Sequence, residues 1–196
     1  GSTISGAASG MAYLYKESSI NGTWALQDTL VPTINVPVNF GRSVAIDGDR
    51  AVVSGTATNV SGGELGVAIV FERYALGVDW FEATDLEPLD TDYNRFGHEV
   101  AIAGNSIVVT SPGASLATHF DPGYASVYRE RDDEWENFVG LRSSFDPLAA
   151  GVFAYGLGGS LALTNNTVAL GAQGFDGFDA SSLAGKVHAY DIDVTQ

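Results

Sequence analysis

The 196-residue chain is predicted to be all-β, made of β-propeller blades of four antiparallel strands, with about 3 to 3.5 blades forming a partial propeller. Three observations predict this. Four segment types return in the same order with a period of about 56 residues. Every segment is short, rich in Val, Ile, Tyr, Phe and Trp, and bounded by Gly, Asn, Asp or Ser, as strands are. Several segments are apolar at successive positions, so a sheet built from them is greasy on both faces and must be covered on both. Identical units stacked face to face supply that cover. A β-sandwich would also be all-β, but it gives no reason for the same four segments to recur.

The first segment of the unit occurs as FGRSVAI from Phe40, FGHEVAI from Phe96 and LGGSLAL from Leu157. A turn follows at once, Asp47-Gly48-Asp49, Ala103-Gly104-Asn105 or Thr164-Asn165-Asn166, with Gly, Asn or Asp placed where a tight hairpin needs positive φ. The second segment is AVVSG, IVVTS or VALGA. The third opens on glycine and exists in four copies: GMAYLYK from Gly10, GVAIVFE from Gly66, GYASVYR from Gly123 and GKVHAYD from Gly185. In the second copy Ala68 and Val70 point one way, and Ile69 and Phe71 the other. The fourth begins with Trp24, Trp80 or Trp135, each followed six residues on by Leu30, Leu86 or Leu141, and these are the chain's only tryptophans. Two strands before Phe40, four in each full unit and three after Leu157 make thirteen. The units run 3–39 (partial), 40–95, 96–156 and 157–196 (partial) within one domain, 3–196. No segment has helical periodicity.

With 45% hydrophobic residues and 11% aromatics the chain can bury a core, so disorder is a poor reading. The net charge of −15 would repel a phosphate backbone, which argues against nucleic acid and leaves cations, sugars or basic protein surfaces. No apolar run reaches the 18 residues of a spanning helix, so membrane insertion is not expected. The absence of cysteine excludes disulfides, thiolate metal sites and cysteine nucleophiles. Three sequons, at Asn21, Asn59 and Asn165, are compatible with a secreted glycoprotein.

The run FGRSVAI, a hairpin, then AVVSG in the place of VVGAP resembles the FG-GAP repeat of integrin α-subunit propellers and of related bacterial and algal surface proteins. The resemblance covers Gly10 to Asp191 and is carried by core and turn residues, so it speaks to fold more than to function. It implies blades that bind ligands on the rim where the second strand joins the third and the fourth joins the next unit. Integrin-type blades also hold calcium in a D-x-D-x-D-G loop between the first two strands. Here that connection shrinks to IDGDR, IAGNS and LTNNT, which offer too few oxygen ligands, so those calcium sites are not carried over. The GAP element is eroded too, to Ser54-Gly55-Thr56, Thr110-Ser111-Pro112 and Gly171-Ala172-Gln173. A seven-bladed ring of this period would need about 390 residues, so the chain amounts to roughly half of one. Blade faces left bare at its ends imply either a homo-oligomer or the remainder of a longer propeller.

The connections expected on that rim are the variable parts of the sequence: TATNVSGGEL, PGASLATHFDP, QGFDGFDASSLA and EPLDTDYNR. Within them Phe175, Asp176, Phe178 and Asp179 set two carboxylates beside two rings, a combination suited to a sugar or, with backbone carbonyls, to calcium. The competing reading is an acidic solvated turn with its phenylalanines tucked under the rim. Asp90 and Asp92, in Asp90-Thr91-Asp92-Tyr93-Asn94, have D-x-D-x-N spacing but lack the following glycine and closing glutamate of a calcium loop, which favours a solvated loop. The three histidines, His98, His119 and His188, lie in different units without zinc spacing, and His188 takes a strand position filled elsewhere by Tyr13, Ile69 and Ser126, which points to packing. No nucleophile elbow, phosphate loop or dinucleotide fingerprint occurs.

The leading reading is therefore a non-enzymatic binding or adhesion module, extracellular or at the cell surface, that recognises a protein or glycan through propeller rim loops. No cofactor is expected, calcium in a rim loop being the sole exception considered. The alternatives are a structural self-association module and a polysaccharide-active enzyme.

Overall fold

The computed structural model describes residues 10–33, 39–58, 64–74, 79–88, 95–112, 123–142, 154–175 and 185–192. Thirteen strands form within them, and no helix. They are β1 (Ala12–Glu17), β2 (Trp24–Leu30), β3 (Ser43–Asp47), β4 (Arg50–Thr58), β5 (Glu64–Arg73), β6 (Trp80–Asp85), β7 (Val100–Ala103), β8 (Ser106–Ser111), β9 (Tyr124–Arg131), β10 (Glu134–Leu141), β11 (Ala154–Leu163), β12 (Thr167–Phe175) and β13 (Lys186–Asp191). Four open antiparallel sheets result, in the orders β1-β2, β3-β4-β5-β6, β7-β8-β9-β10 and β11-β12-β13. Within each sheet every strand pairs antiparallel with its sequence neighbour.

The alternation read from GVAIVFE holds, and it decides how the sheets meet. Ala68 and Val70 on β5, with Val52 on β4, join Val100, Ile102, Ile107, Val109 and Tyr128 of the third sheet in one apolar cluster. On the opposite face Ala51, Val53, Ile69 and Phe71 pack with Leu30, Ala12 and Leu14 of the first sheet. The third sheet repeats the arrangement, sending Val108, Ala125 and Val127 to meet Val168, Leu170 and Leu157 of the fourth. Three separate cores thus lie between four successive sheets, and each of the two middle sheets carries a core on both faces. Each fully buried Val, Leu or Ile in these layers contributes about 1.5–3 kcal/mol over leaving it in water.

Glycine makes the close approach possible. Gly66 opens the third segment of its unit, and a Cβ placed there would lie 1.6 Å from the carbonyl oxygen of Phe96, the residue that opens the next unit. Gly10 stands in the same relation to Phe40. Gly97, beside Phe96, has φ of 81° and lies against the Val67 carbonyl, so the Phe-Gly pair is where one unit's backbone crosses onto the sheet before it.

The hairpins differ in how they turn. Gly48 and Gly104 take positive φ, 60° and 54°, as the first of two loop residues. In the third hairpin the expectation fails: neither Asn165 nor Asn166 has positive φ. The Thr164 hydroxyl instead accepts hydrogen bonds from the N–H groups of Asn166 and Thr167, at 3.4 and 3.0 Å, a side-chain device that replaces the left-handed residue. Positive φ in a hairpin appears at Asp132 and Asp133, 52° and 64°, between β9 and β10.

Candidate functional site

Antiparallel pairing in chain order divides each sheet into two edges. On one edge lie the turns at 48–49, 104–105, 132–133 and 164–166, each of two or three residues, and the six-residue connections 18–23 and 74–79. From the other edge leave the connections 31–42, 59–63, 86–99, 112–123, 142–153 and 176–185.

Hydrogen bonds between sheets hold these edges in line. At the hairpin edge the Gly104 N–H donates to Asp47 Oδ2 at 2.7 Å. Farther along, the Ser43 hydroxyl donates to Glu99 Oε2 at 3.1 Å and accepts from the Val100 N–H at 3.1 Å. The Arg42 guanidinium donates to the His98 carbonyl at 3.2 Å, and at the opposite edge the Ser54 hydroxyl donates to the Gly97 carbonyl at 2.7 Å. Arg42 and His98, like Ser43 and Glu99, are 56 residues apart, one repeat of the sequence. The spacing was readable in the sequence; that equivalent residues would touch across a seam was not, because the period says nothing about the tilt of one sheet on the next.

The outer strands are bridged as well. Asp28 accepts from the Trp80 N–H at 2.9 Å, and the Glu82 carboxylate accepts from the Thr33 N–H and hydroxyl at 2.7 and 2.9 Å. Arg50 pairs with Glu130 of the third sheet and lies 5.6 Å from the centre of the Trp135 ring. The Tyr128 hydroxyl donates to the Glu87 carbonyl at 2.6 Å, and Tyr190, at the same place in its own unit, donates to the Arg142 carbonyl at 2.6 Å. Burial pushes the Tyr128 hydroxyl well above the ordinary tyrosine range and raises that of Tyr190. Both therefore stay protonated and able to donate. His188 is half-buried and stacked on Tyr190 with ring centres 6.3 Å apart, as its strand position implied.

Of the residues singled out for ligand binding, Phe175 closes β12, its backbone paired with Ala154 at the edge of long connections. Asp176, Phe178, Asp179, Asp90 and Asp92 lie outside the described residues, as does the sequon residue Asn59. Asn21 and Asn165 are exposed, both in connections at the hairpin edge. Among the described residues no three His, Asp or Glu side chains gather so as to hold a metal ion.

The structure brings together a group that sequence reasoning did not name. On the outward face of β1 and β2, turned away from the second sheet, Tyr13, Tyr15, Trp24 and Leu26 stand exposed, Tyr15 at 56% and Trp24 at 67%. The signal for it was present: GMAYLYK is the first copy of the third segment, so no earlier unit in the sequence given covers its far face. Val44 and Ile46 on β3 are exposed for a related reason, since the first sheet has two strands and shields only part of the second.

Compared with known protein families and with curated proteins, the chain matches no family model and no curated sequence.

Proposed function

We propose that the chain is an arc of an FG-GAP-like β-propeller acting as a non-enzymatic binding module, extracellular or at the cell surface, whose rim loops recognise a protein or a glycan. The observation that carries this reading is the asymmetry of the two edges. Turns of two to six residues occupy one edge, while most of the longer connections, up to the fourteen residues of 86–99, leave from the other, and the seam hydrogen bonds hold the second and third sheets in line. A rigid scaffold that gathers variable loops on one face is the usual arrangement for recognition. The first-strand contacts in the seam between the second and third sheets, Ser43 on Glu99 and Arg42 on His98, support radial blades, whose first strands lie nearest the common line. The net charge of −15 favours a neutral glycan or a basic protein surface as ligand.

The test replaces residues 174–180 by a short glycine turn and measures binding to an immobilised glycan panel and to basic surface proteins, with and without calcium. Loss of binding with the thermal transition unchanged supports the reading. Binding that survives the loop replacement, or turnover of a polysaccharide by the unaltered chain, contradicts it.

A further inference from the structure

We infer that the chain associates head to tail with a second copy of itself, the outward face of its fourth sheet seating on the outward face of the first sheet of its neighbour. This rests on the seams between sheets and does not depend on what the rim binds.

The internal seams define what each face of a unit accepts. On the third strand of the unit, the face turned to the following sheet carries small or branched residues: Ala12 and Leu14, Ala68 and Val70, Ala125 and Val127. The face turned to the preceding sheet carries larger ones at the second position, Phe71, Tyr128 and Tyr190, and each of these lies in or beside a seam core. At the third strand every seam within the chain therefore sets an aromatic ring of one sheet against a face of small or branched residues of the sheet before it. At the two ends of the stack one half of such a seam is left over. The first sheet presents the bulky half, Tyr13 and Tyr15 with Trp24 and Leu26 beside them. The fourth sheet presents the small half: Val187, 76% exposed, and Ala189 on β13, with Ala169 and Gly171 paired to them on β12 and Ala162 on β11.

On the third strand the left-over halves are complementary, because the repeat that makes three seams inside the chain also writes both ends. A second copy thus extends the kind of seam formed three times within the chain, through the two strands of its first sheet. Two identical bulky faces would not mate in this way, so the contact is heterologous, able to form closed rings or open chains according to the angle between units. The negative charge opposes approach at low ionic strength, so association should strengthen with salt.

The experiment measures particle mass by light scattering at about 0.1 mM chain and about 0.5 M sodium chloride, where the Debye length falls to a few ångström. The unaltered chain is expected to be dimeric or larger. Tyr15→Glu blocks the bulky face and Val187→Glu the small face, so each variant alone should be monomeric. Their mixture should give a one-to-one heterodimer and nothing larger, since one intact half of each kind remains. Tyr13→Lys and Ala189→Arg repeat the test with the opposite charge, and circular dichroism checks that every variant keeps its β spectrum. A monomeric unaltered chain under these conditions overturns the inference. So does a Val187→Glu variant that associates as strongly as the parent, the mark of a symmetric contact through Tyr15, or a face that takes up an oligosaccharide with no change of mass.

Discussion

The Ser43 hydroxyl lies 3.1 Å from Glu99 Oε2, and the two residues hold the same position in consecutive repeats, 56 residues apart. One side chain serves two partners in the next sheet, donating to the carboxylate and accepting from the Val100 N–H. Ser43→Ala leaves that N–H without its acceptor in a partly buried seam and is expected to cost about 1–2 kcal/mol. Ser160, the equivalent in the last unit, is exposed; Ser160→Ala should change stability by no more than about 0.5 kcal/mol. Denaturant midpoints at constant slope check both values.

The glycine that opens the third strand offers a sharper contrast. A methyl group at Gly66 would sit 1.6 Å from the Phe96 carbonyl oxygen, a contact relieved only by moving backbone, whereas at Gly185 the nearest atom is the Ala172 carbonyl oxygen at 3.4 Å. Gly66→Ala is expected to lose more than about 2 kcal/mol and Gly185→Ala much less, because at Gly185 the nearest atom leaves room for a methyl group. Equal losses in thermal unfolding would mean that the glycines serve the strand alone and not the seam.

How far the sequence could be read follows from these cases. The alternation of Ala68 and Val70 against Ile69 and Phe71 was legible because side chains on a strand alternate whatever the strand packs against. That both faces would be buried followed from their composition, and the structure lays a separate core on each. The third hairpin was not legible: Asn165 and Asn166 looked like left-handed residues, and the Thr164 hydroxyl closes the turn in their place. Of the candidate ligand residues only Phe175 falls among the described residues, at the end of β12. A bare face at each end of the stack was expected, but Tyr15 and Trp24 were not placed on it, because an aromatic strand residue reads as core unless one asks which neighbour covers it.

The tyrosines set an alkaline limit. Burial raises the folded-state pKa of Tyr128 and of Tyr190 above the unfolded value of about 10, so their contribution to stability is complete below that pH. Above it the unfolded chain releases protons that the native chain retains, and stability falls as pH rises. Melting temperatures should therefore decline from about pH 10 upward. Tyr128→Phe should make the decline shallower while losing the hydrogen bond to the Glu87 carbonyl at every pH. A decline of unchanged steepness in the variant would remove Tyr128 from this role.

Native-state hydrogen exchange tests most directly whether the protein is a stack whose middle sheets are covered on both faces. The account predicts the slowest exchange at the central strands β4, β5, β8 and β9, at amides such as Val52, Val70, Val108 and Val127, with β1 and β13 exchanging by easier local opening. Protection as high on β1 and β13 as on β5 and β9 would contradict it, since end sheets bare on one face could not then be distinguished from the interior.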